Sequence, residues 1–283
     1  MIDFPIVDTH VHLWDPDNLR YPWLDGTPLL NRAYLPEDYT RFCGSVDVER
    51  IVFLQCDCEF SQFIEEVEWV TSLVRQDPRI QGMVPWAPLE KGEGAREALD
   101  VLSRNRLVKG VRRIIQSEDV VFCLQPDFVR GVRLLEEYDL CFDICIYHVH
   151  LANTIEMVRQ CPNVRFVLDH IGKPDIKHRV TVPWKQEIAH LAGMPNVWCK
   201  VSGMVTEADH ENWTREDLRP YIDHVVDCFG FDRIMFGGDW PVARLACEYP
   251  VWVETLAWAL EGCSEDEMRK VFHDNAIAFY RLG

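Results

Sequence analysis

Eight short runs rich in β-branched and aromatic residues recur along the chain, each followed by a turn and an amphipathic segment. No other feature narrows the fold so far. The runs fall at about residues 6–12, 50–56, 82–86, 108–114, 141–148, 165–170, 197–202 and 234–239. Two of them, Arg165-Phe-Val-Leu168 and Arg233-Ile-Met-Phe236, are apolar rather than alternating, as expected of parallel strands covered on both faces. Between the runs, segment 61–75 opens with Ser61 and sets Phe63, Ile64, Val67, Val70, Leu73 and Val74 on one helical stripe. Pro126 suits the first turn of a helix at 126–138. Thr214 with Asp217, and Ser264 with Glu267, have the capping spacing that starts helices near 214–229 and 264–272.

With 283 residues, no Pro/Gly/Ser-rich linker and no shift in composition, eight such units predict an α/β fold in one domain over 1–283. The expected architecture is a single (β/α)8 TIM barrel with an extended loop at about 13–49 after strand one. That loop carries Trp14, Tyr21, Trp23, Tyr34 and Tyr39 and is expected to fold over one mouth of the barrel. An open doubly wound sheet is second, because it would want a glycine-rich phosphate loop after its first strand and none is present.

The charge balance removes whole classes of partner. There are 46 acidic side chains against 29 basic ones, a net charge of −17, and no Lys/Arg-rich stretch. Phosphate backbones and anionic lipid surfaces are repelled, so neither nucleic acid nor membrane is an expected partner. Eleven cysteines, without a CxxC pair, read as reduced thiols of a cytoplasmic protein. The first residues have neither the basic region nor the apolar core of a signal peptide, and no run approaches the roughly 18 apolar residues of a membrane span. A homo-oligomer is left open.

In a parallel barrel, functional groups sit at the carboxyl ends of the strands. Strand one ends in His10-Val11-His12, whose period-two spacing sends both imidazoles to the same side. Strand four closes with Arg112-Arg113, of which alternation lets only one face the mouth. Strand five closes with Tyr147-His148-Val149-His150, strand six with Asp169-His170, and strand eight with Asp239-Trp240-Pro241. Strand seven carries Lys200 ahead of Ser202-Gly203. Apolar strands should not collect charges so regularly unless the charges are paired or used. Asp169 could also tie down a loop, and Lys200 could form a structural ion pair. Cys56 and Cys58 read as packing residues. Glu65-Glu66 and Glu136-Glu137 read as solvated helix faces. Gly237-Gly238 implies close backbone approach near a site.

His-x-His on strand one, histidine at the end of strand six and aspartate at the end of strand eight together resemble the amidohydrolase superfamily. The phrases Val167-Leu-Asp-His-Ile-Gly-Lys-Pro174, Cys199-Lys-Val-Ser-Gly203 and Phe236-Gly-Gly-Asp-Trp-Pro-Val242 are similar to its lactonase branch. That branch includes enzymes for L-fuconolactone, L-rhamnonolactone, 2-pyrone-4,6-dicarboxylate and galactarolactone-type substrates. The resemblance implies that Asp239 activates water, that His10 and His12 serve the carbonyl or a metal, and that His170 orients or handles a proton. Arg112 or Arg113, Lys200 and Arg244 would hold hydroxyls or a carboxylate, with Tyr147, His148 and Glu207 as further substrate contacts. Two-metal relatives place a carboxylated lysine or a glutamate at the end of strand four, where this chain has Arg112 and Arg113. A two-metal site is therefore not expected. Members of the lactonase branch are often active without metal, so the resemblance implies that no cofactor is required, or that one optional zinc sits on His10, His12, His148 and Asp239.

The implied activity is hydrolysis of a sugar lactone or a related carboxylated lactone to the hydroxy acid. A metal-dependent hydrolase or decarboxylase, a lactone isomerase and a non-catalytic sugar-acid binding barrel remain open beside it.

Overall fold

The strands bury both of their faces. In the computed structural model, which describes residues 2–283, they are β1 (Ile6–Val11), β2 (Val48–Leu54), β3 (Ile80–Val84), β4 (Gly110–Val111), β5 (Cys141–Ile144), β6 (Phe166–Leu168), β7 (Val197–Val201) and β8 (Ile234–Phe236). All neighbouring pairs are parallel, β1 to β3 in one ladder and β4 to β8 in another. Backbone bonds join the two ladders at both edges. Met83 N donates to Leu107 O at 2.7 Å and Lys109 N to Met83 O at 2.9 Å, while His12 N donates to Trp240 O at 2.8 Å. The result is a closed (β/α)8 barrel.

Ten helices follow in chain order: α1 (Pro36–Cys43), α2 (Phe63–Leu73), α3 (Arg96–Leu102), α4 (Pro126–Glu137), α5 (Leu151–Gln160), α6 (Trp184–Ala192), α7 (Arg215–Phe229), α8 (Tyr249–Ala259), α9 (Glu265–Arg269) and α10 (Asn275–Tyr280). Ile51, Phe53, Phe142, Phe166 and Phe236 belong to the large core shared with the helices. The alternate set, Val7, Val52, Leu54, Val84, Val167 and Met235, packs with Phe279 and Tyr280 of the last helix region. That helix plugs the barrel end opposite the strand termini.

Several strands stop earlier than the sequence predicts. β4 holds two residues of the expected 108–114, and β5 ends at Ile144 rather than 148. Beyond β4, Arg112 enters the cavity wall instead of continuing a ladder. The 13–49 loop also has structure of its own, a 3-10 turn at Pro22–Gly26 and α1. Trp14 meets Trp23 and Tyr34 edge-on at 5.3 Å, and Tyr34 meets Trp240 at 5.4 Å, so the loop is fixed to the end of β8 by aromatic pairs.

One expectation fails outright. Glu66 is not on a solvated face but fully buried, accepting Cys56 N at 3.1 Å, and burial pushes its carboxyl up to about 8. Its neighbour Glu65 is exposed, so the helix turn between them crosses the boundary of the core. All eleven cysteines are free, eight of them buried. Among the described residues, no helix is long and apolar enough to cross a membrane.

Candidate active site

A cavity of about 210 Å³ opens at the carboxyl ends of the strands, and His12, Arg112, His170, Lys173 and Asp239 line it, with Trp23 from the long loop on its wall. Asp239 lies at its centre. Its Oδ1 is 3.7 Å from His10 Nε2, 3.6 Å from His12 Nε2 and 4.0 Å from His170 Nε2. Four residues of the cavity wall, Asp57, His170, Lys173 and Asp239, hold φ between 45° and 55°. For a residue with a Cβ that conformation costs on the order of 1 kcal/mol, and such strain persists where the surrounding structure imposes it.

Two glycines make the close packing possible. A Cβ on Gly203 would lie 2.3 Å from His170 Nδ1, and one on Gly238 would lie 2.4 Å from Asp8 Oδ2. Asp8 is the tie between first and last strand: its Oδ1 accepts Gly238 N at 2.7 Å and His10 N at 3.0 Å. Its Oδ2 accepts Tyr39 Oη and Tyr249 Oη, both at 2.9 Å. Burial pushes this carboxyl up to about 6, against the four hydrogen bonds, which favour the ionised form. The residues that precede His10 and Asp239 are thereby locked together.

The hydrogen-bond partners fix two of the imidazole tautomers. His12 Nδ1 is 2.9 Å from Leu54 O, which can only accept, so Nδ1 carries the proton and Nε2 presents a lone pair. His10 Nε2 is 3.1 Å from Arg112 Nη1, which can only donate, so Nε2 is again the acceptor and Nδ1–H faces Asp169 Oδ1 at 3.5 Å. His170 Nδ1 meets Ser202 Oγ at 2.9 Å. Burial first, then nearby cations and imidazoles, hold His10 and His170 well below the ordinary histidine range. Burial also lowers His12, against the pull of Asp239. Neutral imidazoles and a carboxylate therefore aim acceptor atoms at one point, which is a place for a proton donor or a cation.

Beneath this point lies an ionic layer. Lys200 Nζ donates to Asp143 Oδ2 at 2.6 Å and approaches Asp169 Oδ1 at 3.0 Å, and Arg112 Nη1 reaches Asp169 Oδ2 at 3.3 Å. Lys200 has no exposed surface. It cannot touch a substrate, so the expected contact is corrected to a structural ion pair.

Other expected contacts also lie apart. Arg113 turns outward to Glu90 at 3.3 Å and Glu118 at 2.5 Å. Arg244 stacks on Phe42 and donates to Tyr34 Oη at 3.1 Å, outside the cavity wall. Tyr147 is exposed and carries the Lys173 ammonium over its ring at 5.3 Å. His148 is no partner of the metal-capable group: its Nδ1 donates to Lys173 O at 3.0 Å, propping the turn that presents Lys173. Glu207 lines an adjoining polar groove, with its Oε1 4.0 Å from Lys173 Nζ.

Lys173 is the group that strand-end reasoning missed. It follows the strand-six histidine by three residues and donates to Gln116 Oε1 at 2.6 Å. Its charge beside a cavity was readable in the Gly172-Lys173-Pro174 phrase, but its left-handed backbone, which turns it inward, was not.

The donor set suits a divalent ion. Among the described residues, ligand atoms of His10, His170 and Asp239 lie within 4.8 Å of one another, with His12 beside them. Two imidazoles and a carboxylate, leaving one position open, is an adequate zinc set.

Fold and site define a (β/α)8 barrel enzyme with one aspartate and three histidines brought together at the barrel mouth. The chain belongs to the amidohydrolase family, whose model matches residues 7–282. It is 30% identical to an L-fucono-1,5-lactonase of Burkholderia multivorans, over 98% of this chain and 96% of the relative. An L-rhamnono-gamma-lactonase of Scheffersomyces stipitis is 24% identical over the full length of both. A crystal structure of an amidohydrolase from Burkholderia multivorans with bound zinc superposes with a TM-score of 0.89 at 27% identity, covering 99% of this chain and 100% of that one.

Proposed function

We propose that the protein hydrolyses a sugar lactone to its aldonic acid, with Asp239 as the base. The observation that carries this reading is the approach of Asp239 Oδ1 to the free Nε2 lone pair of His12 at 3.6 Å, two acceptors that suit a water held by its two protons. The similarity to lactonases of two different deoxy-sugar acids supports the substrate class.

Asp239 takes a proton as the water oxygen bonds to the lactone carbonyl carbon. The tetrahedral intermediate then expels the ring oxygen, which receives that proton back from Asp239. His12 presents a lone pair and that of His10 is filled by Arg112, so His12 steers water and neither imidazole donates to the growing oxyanion. That task falls to a proton-bearing group of the wall, the Arg112 guanidinium. A zinc ion, where bound by His10, His170 and Asp239, would supply Lewis acidity to the same carbonyl. Lys173, Gln116 and Glu207 would hold the hydroxyls.

A pH-indicator assay over a panel of 1,4- and 1,5-aldonolactones, dicarboxylate lactones and muconolactones, with and without chelator, tests the reading. Acid release from at least one aldonolactone is expected; none across the panel would remove the proposal. Lys173→Met should raise KM about ten- to a hundredfold, the effect of losing one charged hydrogen bond of about 1.5–3 kcal/mol. An unchanged KM with the active lactone would take Lys173 out of the substrate site.

A further inference from the structure

Both ring nitrogens of His10 are engaged, and in a recognisable order. Nδ1 faces the Asp169 carboxylate at 3.5 Å, and Nε2 accepts from Arg112 Nη1 at 3.1 Å. A carboxylate behind a histidine whose other nitrogen meets a cation is the arrangement that orients metal-binding histidines. Here a guanidinium stands in the cation's place. Arg112 is also firmly held: Nη2 donates to Gln55 O at 2.6 Å, Nη1 reaches Asp169 Oδ2 at 3.3 Å, and the residue is 3% exposed.

We propose that Arg112 is a built-in competitor for divalent ions, occupying the lone pair through which His10 would complete a zinc site with His170 and Asp239. With Arg112 in place, two of the three ligands are free, and an incoming ion also meets a fixed positive charge at short range. The wild-type site accordingly binds zinc weakly and reversibly. Removing the guanidinium charge frees His10 Nε2, already oriented by Asp169, and makes a three-ligand site with an open fourth position. The inference stands apart from the lactonase reading, because its readout is metal and not turnover.

The test measures zinc affinity of the chelator-stripped protein by competition with a chromophoric chelator, with bound metal counted by elemental analysis. Arg112→Met should bind zinc at least about tenfold tighter than wild type, within the range by which groups around a metal site alter affinity. Arg112→Lys, which keeps the charge, should bind less tightly than Arg112→Met. His10→Asn should change wild-type affinity less than threefold but abolish the gain when combined with Arg112→Met. Folded Arg112→Met with wild-type affinity would overturn the proposal. Should Arg112→Met fail to fold by circular dichroism, His10→Asn alone decides: a loss of threefold or more makes His10 a ligand in the presence of Arg112 and overturns it, and a smaller loss upholds it.

Discussion

Asparagine in place of Asp239 is expected to lower kcat by about two to four orders of magnitude on any lactone the wild type opens, the usual contribution of a positioned acid–base group. The change is nearly isosteric and removes only the ability to take a proton. The fold should not suffer. Asp239 Oδ1 faces the free acceptor nitrogen of His12 at 3.6 Å, and an amide can turn its NH2 toward it. An acceptor cluster would gain a donor, so the melting temperature should equal or exceed that of the wild type, as when a strained functional group is neutralised. KM should move little, because the carboxylate acts on water rather than on the hydroxyls. Turnover within tenfold of wild type, in a variant with an unchanged circular dichroism spectrum, would place the base elsewhere.

The sequence made the barrel readable for a physical reason. Parallel strands wrapped by helices are apolar on both faces, so each appears as an uninterrupted run, and any polar residue at its end stands out. Asp239, His10, His12, His170 and Arg112 were visible in that way. What lay hidden depends on distances the sequence does not carry. Lys200 reads as a cation near a site, yet Asp143, 57 residues away, neutralises it inside the barrel. His148 reads as a ligand, yet the short end of β5 leaves it beside the Lys173 carbonyl. Glu66 shares a helix surface with Glu65, and only the depth of the neighbouring strand end shows that one of the two is buried. Lys173 needed a backbone conformation that sequence patterns do not reveal.

Lys200→Met should be the most destabilising single change at the site, and its effect should depend on pH in a defined direction. Asp143, Asp169, Lys200 and Arg112 are all buried, and their formal charges cancel. Burial alone would lower the Lys200 ammonium, but the Asp143 and Asp169 carboxylates raise it. Burial likewise works against Asp169, yet Lys200 and Arg112 hold it below the usual carboxylate range. Asp143 is raised by burial despite Lys200 and the Tyr280 hydroxyl at 2.6 Å. Without Lys200 one negative charge is left unpaired in the barrel, a defect of about 3–5 kcal/mol. The variant's Asp143 rises further above its unfolded value. A raised carboxyl favours folding below the unfolded pKa and loses that contribution as pH climbs through the folded pKa, so the variant is weakest at neutral and alkaline pH. Wild type keeps the contribution of its lowered Asp169 throughout this range, since that is lost only below the ordinary carboxylate value, so the pH dependence of the gap comes from Asp143. Urea unfolding at pH 8 and pH 5 should therefore show a large deficit at pH 8 and a smaller one at pH 5. A loss below about 1 kcal/mol at pH 8, or a deficit that grows toward acid, contradicts the charge assignment. Adding Asp143→Leu to Lys200→Met removes the stranded charge and should recover most of the stability, since replacing a buried pair by apolar groups is often neutral while breaking it is not.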